Sequence, residues 1–185
     1  VDYFSGSSLN SRWREEEHGG GTSTFVMEDD VDGGFKIRTE ATDGRAGSID
    51  FNNIRQYSPT GSVCIGVMKT VHTNLINSQV GLTYDVGNST TDHVIYARVT
   101  GTSSWFQLGT ARSSLTGTDT DLSANGGWYT HKLELTTSHG TLKINGISRA
   151  TTTSNLPTSR LQPYVFAHTD SNANRNAFIR YIEAY

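Results

Sequence analysis

The sequence predicts an all-β sandwich of two packed antiparallel sheets, and three observations carry that expectation. Apolar side chains recur at every second position in many short runs, the period of a strand with one buried face. Clusters of Gly, Asn, Asp and Ser separate the runs, as tight turns require. No stretch keeps the apolar period of about 3.6 residues that marks an amphipathic helix.

The clearest run is 128–150, WYTHKLELTTSHGTLKINGISRA. Leu133 and Leu135 alternate with Lys132, Glu134 and Thr136, then Ser138-His139-Gly140 supplies turn chemistry. Leu142 and Ile144 resume the alternation, and Asn145-Gly146 is a strong hairpin signal. A three-strand meander follows, its register set by Leu133, Leu135, Leu142 and Ile144, since a one-residue slip would expose all four.

Tyr3-Phe4 opens a short strand, residues 5–8 turn, and Trp13 follows Leu9. Residues 14–21, Arg-Glu-Glu-Glu-His and three glycines, have no apolar alternation and read as a loop. Residues 22–28 are β-rich and 29–34 form an acidic turn, after which Phe35, Ile37 and Thr39 alternate with Lys36, Arg38 and Glu40. Asp43-Gly44 turns the chain into a strand at 47–51. In the long strand 62–72, Val63, Ile65, Val67 and Val71 share a face. Strands follow at 79–84, 93–99 and 103–108, with a polar loop at 85–92. Residues 111–127 read as a long polar connection and 151–159 as a loop closed by Pro157. The last two strands are expected at 161–169 and 177–185.

At 185 residues the chain is long enough for one domain with a full core, and no linker or repeat divides it, so 1–185 is expected to be a single domain. Both ends run straight out of strand-like sequence, the expectation for a module of a longer protein. Net charge is −3 without a Lys/Arg cluster, which argues against a nucleic-acid partner. No run approaches the roughly 18 apolar residues of a membrane span, so no membrane insertion is expected. Cys64 is the only cysteine, which leaves no intrachain disulfide and no cysteine zinc site.

Three pieces together carry a resemblance: Tyr3-Phe4 with Leu9-Asn10-Ser11-Arg12-Trp13; the Trp128-led meander ending in Ile144-Asn145-Gly146; and Leu161-Gln162-Pro163-Tyr164-Val165-Phe166 with Ile179-Arg180-Tyr181-Ile182. Along its whole length the chain resembles the concanavalin A-like lectin/glucanase superfamily. The likeness is to laminin-G-like jelly-roll modules of viral, phage and microbial surface proteins. The resemblance implies a jelly roll and an extracellular or virion-surface setting. It leaves function open, because that fold carries lectins, lyases, hydrolases and decoration modules.

A glycoside hydrolase of this kind would carry acidic residues alternating on one strand. Glu134 stands alone between Lys132 and Thr136, and Glu15 and Glu17 sit in the segment read as loop. A polysaccharide lyase would neutralise a uronate carboxylate and use a Tyr or His base, for which Tyr96, Arg98, Tyr164 and His168 are candidates. The Arg-Glu-Leu-Arg and Gln-Ile-His strands of jelly-roll alginate lyases are not visible.

A binding face asks for less. With Ile95, Ala97, Val99, Phe106 and Leu108 turned to the core, Tyr96, Arg98, Trp105 and Gln107 point away from it. Sugar rings pack on aromatic faces while their hydroxyls meet planar hydrogen-bonding groups. The competing reading makes Tyr96 and Trp105 the cover of a second hydrophobic layer or an oligomer contact. Asp30, Asp32, Asp119 and Asp121 are calcium candidates, although no twelve-residue calcium loop is complete; otherwise no cofactor is implied. The expectation is a non-catalytic carbohydrate-binding or surface-decoration module that holds a glycan or polysaccharide on the concave sheet through Tyr96, Arg98, Trp105 and Gln107. A lyase and a structural module forming a homo-oligomer are the alternatives.

Overall fold

A computed structural model describes residues 1–28, 34–70, 76–86, 93–99 and 104–185. Among them the chain forms β1 (Asp2–Tyr3), β2 (Arg14–His18), β3 (Thr24–Glu28), β4 (Gly34–Arg38), β5 (Ala46–Asp50), β6 (Ser62–Thr70), β7 (Ile76–Thr83) and β8 (Val94–Val99). These are followed by β9 (Trp105–Ala111), β10 (Leu115–Ser123), β11 (Trp128–Leu135), β12 (Gly140–Ile144), β13 (Ile147–Thr152), β14 (Gln162–Thr169) and β15 (Asn176–Ala184). One sheet has eight of these strands, in the order β13-β12-β11-β6-β15-β4-β3, with β1 also pairing β15. The other has seven, in the order β10-β9-β8-β7-β14-β5-β2, and every pairing in both is antiparallel.

The meander has the expected register. Leu133 lies opposite Leu142, Leu135 opposite Gly140, and all the apolar residues that set it are buried. Asn145 and Gly146 both have positive φ, 51° and 82°, as a tight type I′ connection requires. Between the sheets the core is filled by Phe35, Ile37, Met68, Leu82, Ile95, Leu108, Leu133 and Ile179, among others.

Two segments depart from the sequence expectation. Arg14–His18 is a strand, and so is Leu115–Ser123 within the stretch read as a polar connection. They are the two edge strands of the seven-stranded sheet. An edge strand need bury little, and charge on it discourages further pairing, so the apolar alternation that reveals interior strands is missing. The third strand of the meander, β13, runs two residues past the expected end at 150, through Thr151 and Thr152 of the span expected to be a loop.

The face shared by Val63, Ile65 and Val67 proves to be the outer one. Ser62, Cys64, Gly66, Met68 and Thr70 turn inward instead. The facing sheet leaves no room for larger groups at the centre: a Cβ on Gly66 would stand 2.4 Å from Val80. Thr70 and Ser78 satisfy each other's hydroxyls at 2.6 Å. Val71 lies outside the described residues.

Candidate functional site

The seven-stranded sheet presents the chemistry. Ile95, Ala97 and Val99 of β8 join the core between the sheets, whereas Val94 and Tyr96 belong to a second cluster on the outer face with Val86, Ala111 and Tyr164. Strand register then lines the outer face up in rows. One row reads Gly117, Gly109, Tyr96, Gly81, Tyr164, Asp50, Arg14. The next reads Asp119, Gln107, Arg98, Gln79, Phe166, Ser48, Glu16. A third sets Asn77, His168, Ala46 and His18 side by side, and Trp105 lies two residues along β9 from Gln107.

The first row is sealed from Gly109 to Asp50. Tyr96 has no exposed surface, which corrects the expectation that it offers a free aromatic face. Its ring lies against Gly109, where an added Cβ would fall 2.1 Å from Cζ, so the space over the glycine is filled by the tyrosine itself. Its Oη has no hydrogen-bond partner among the described residues. Tyr164 is equally buried and donates its hydroxyl hydrogen to Gln79 Oε1 at 2.7 Å. Burial raises both phenols above their ordinary range, Tyr164 well above it, so neither suits the role of lyase base that the sequence allowed. At the far end, Arg14 spans buried Asp50 and Glu16 at 2.6 and 2.8 Å, and its hydrogen bond to Asp50 raises the guanidinium pKa further.

The second and third rows are open in part, with Gln79, Ser48 and Ala46 buried between more exposed neighbours. Trp105 is 39% exposed, and Arg98, Gln107, Phe166, His168 and His18 are all half-buried. Arg98 Nε donates to Gln107 Oε1 at 2.9 Å, and Gln107 Nε2 donates to Asp119 Oδ1 at 2.7 Å. The Arg98 guanidinium lies 5.6 Å from the Tyr96 ring centroid. The sequence-predicted group of Tyr96, Arg98, Trp105 and Gln107 is therefore brought together on one face, with Tyr96 as its buried floor.

Three ring side chains continue this band. Phe166 and His168 are stacked with 6° between their planes, and His18 meets Phe166 at a centroid distance of 5.7 Å. His168 Nδ1 lies 3.0 Å from Asp170 Oδ1, while Asn77 Nδ2 donates to the other carboxylate oxygen at 2.8 Å. That contact holds the imidazole with Nε2 as its remaining nitrogen. His18 Nε2 pairs with Ser48 Oγ at 2.8 Å, and burial lowers its pKa against the pull of Glu16 and Asp50. Sequence reasoning missed Phe166 and His18. Phe166 stood in a strand whose faces had not been assigned, and His18 lay on a strand without apolar alternation.

The acidic candidates separate. Asp30 and Asp32 lie outside the described residues. Asp119 accepts from Gln107, and Asp121 is bound by Arg149 at 2.9 and 3.0 Å, so the two face different partners. No group of three or more metal-ligating side chains occurs among the described residues. Glu134 lies outside the core of the other sheet, clasped by Lys132 and Lys143 at 2.8 Å each, and those bonds lower its pKa. Glu15 and Glu17 alternate with Arg14, Glu16 and His18 on β2 and so point to the opposite side of the strand.

No known family model matches the sequence, and no curated protein matches it either. Solved structures do match by shape. The GH16 protein of a Bacteroides ovatus mixed-linkage glucan PUL, in complex with a G4G4G3G product, aligns with a TM-score of 0.73 at 11% identity, over 100% of this chain and 98% of that one. The carbohydrate recognition domain of Emp47p aligns at 0.66 and 10% identity, over 100% and 92%. Alginate lyase A1-II′, of polysaccharide lyase family 7, aligns at 0.62 and 13% identity, over 87% and 82%. These likenesses establish the fold: the chain is a concanavalin A-like jelly-roll sandwich.

Proposed function

We propose that the open half of the outer face holds a glycan and that the protein is a non-catalytic carbohydrate-binding module. The observation that carries the reading is the band of planar groups across the sheet: Trp105, Gln107 and Arg98 at one end, Phe166, His168 and His18 at the other. From β9 to β2 this band crosses six strands, about 24 Å at the usual spacing, an extended track suited to a chain of sugars. Exposed ring faces take the apolar faces of sugars, and the guanidinium, amide and imidazole edges take hydroxyls. The carboxylates on this face serve as acceptors for neighbouring side chains: Glu16 and Asp50 for Arg14, Asp119 for Gln107, Asp170 for His168 and Asn77. That use does not suit the paired acid and nucleophile of a glycosidase. Neighbours described as a carbohydrate recognition domain and as acting on carbohydrate lend support. Such a module fits an extracellular protein or a virion surface, where glycans are met.

Glycan-array binding tests this. Trp105→Ala and His168→Ala are expected to lose about tenfold or more in affinity while folding normally. Unchanged binding in both would remove the site. A second reading, β-elimination of a uronate polysaccharide, rests on His168, whose Asp170 contact orients it as a base. Growth of ultraviolet absorbance from unsaturated products, absent in His168→Ala, would establish it.

A further inference from the structure

The hydrogen-bond polarity at the middle of the open face points to the chemistry of the ligand, on the premise that this face binds a glycan. Arg98 Nε is used by Gln107 Oε1, and Gln107 Nε2 is used by Asp119, so the chain of bonds can run in only one direction. The guanidinium plane is thereby fixed. Its Nη1 and Nη2 meet no acceptor among the described residues, and Arg98 has no carboxylate partner there. Across the strand pair lies Gln79, only 3% exposed, whose Oε1 accepts from the Tyr164 hydroxyl, which leaves the Nε2 end of a largely buried amide beside the guanidinium. Arg98 thus sits between two neutral amides, Gln79 and Gln107, each of whose oxygens already accepts one hydrogen bond. The centre therefore holds a cation between two neutral amides, with no carboxylate among the described residues to balance it.

We infer that Arg98 and Gln79 form a subsite for an oxyanion carried by the glycan, a uronate carboxylate or a sulfate ester, with Trp105 and Phe166 flanking it as ring platforms. A guanidinium fork meets a planar pair of oxyanion oxygens in bidentate fashion, whereas a neutral sugar hydroxyl would use one donor and leave the charge unanswered. Gln107 and Asp119 are positioning residues that aim the fork.

Calorimetric titration with three oligosaccharides of equal length, an oligouronate, a sulfated oligosaccharide and a neutral gluco-oligosaccharide, tests the assignment. At least one acidic probe is expected to bind about tenfold or more tightly than the neutral one, an advantage that shrinks as salt is added. Whichever acidic probe binds better identifies carboxylate or sulfate. Arg98→Gln is expected to abolish the preference and Arg98→Lys to keep part of it. Gln107→Glu, nearly isosteric on a partly exposed residue, would answer the cation from within and also erase the preference. Thermal unfolding of each variant separates these outcomes from misfolding. Equal binding of neutral and acidic probes, or a preference that survives in folded Arg98→Gln and Gln107→Glu, overturns the inference. In that case Trp105→Ala would still weaken neutral binding and the glycan-binding face would stand. Binding of none of the three probes, together with a blank glycan array, would instead remove the face itself.

Discussion

The two halves of the outer face of the seven-stranded sheet share strands and side-chain period, yet one is sealed and the other open. In the sealed half, tyrosines stand next to glycines across the strands: Tyr96 between Gly81 and Gly109, and Tyr164 beside Gly81. With no Cβ to hold it off, the Tyr96 ring lies down on the neighbouring strand, as Gly109 shows, and Val86, Val94 and Ala111 complete the cover. In the open half, the cross-strand neighbours are Gln79, Gln107 and Ser48, and Arg98 and Phe166 remain half-exposed among them. The comparison teaches that an aromatic residue on an outward face becomes floor or contact surface according to the residue beside it in register.

The largest expected effect breaks the sealed half. Tyr96→Ala should destabilise the protein by about 3–5 kcal/mol in urea unfolding, because it empties a closed trough. A cost under about 1 kcal/mol would mean that the ring is not packed as described.

A finer cut compares two hydroxyls in that half. Tyr164→Phe removes the donor to buried Gln79 and should cost about 1–3 kcal/mol, whereas Tyr96→Phe removes an unpartnered Oη and should be neutral or stabilising. If the two variants unfolded alike, the assigned hydrogen bond would be wrong.

The contrast extends to the histidines. His131 is sealed among Phe106 and Tyr129, and burial lowers its pKa from 6.5 to about 4, although the Gly66 and Tyr129 backbone partly opposes this. Neither ring nitrogen makes a hydrogen bond of good geometry among the described residues. The unfolded chain therefore binds a proton that the folded one refuses. The His131 contribution is complete above pH 6.5, drains as the pH falls, and is gone near pH 4. Urea unfolding across this range should show less acid destabilisation in His131→Leu than in the parent. Equal slopes would place His131 in contact with water.

Much of the fold was legible because an interior strand must alternate. Leu133, Leu135, Leu142 and Ile144 fixed the meander, and Ile95, Ala97 and Val99 fixed which way Arg98 points. Edge strands carry no such obligation, so Arg14–His18 and Leu115–Ser123 left no apolar trace. Of the site, the outward direction of Arg98, Trp105 and Gln107 was readable. The burial of Tyr96 and the entry of Phe166 and His18 were not.

By itself, then, the sequence determined two antiparallel layers and which side chains each interior strand turns outward, since both follow from a local period of two residues. Only the tertiary structure decided which of those outward groups are covered and which stand together. Cross-strand neighbours far apart in sequence, such as Gly109 for Tyr96 and His18 for Phe166, fill or leave open the space around them.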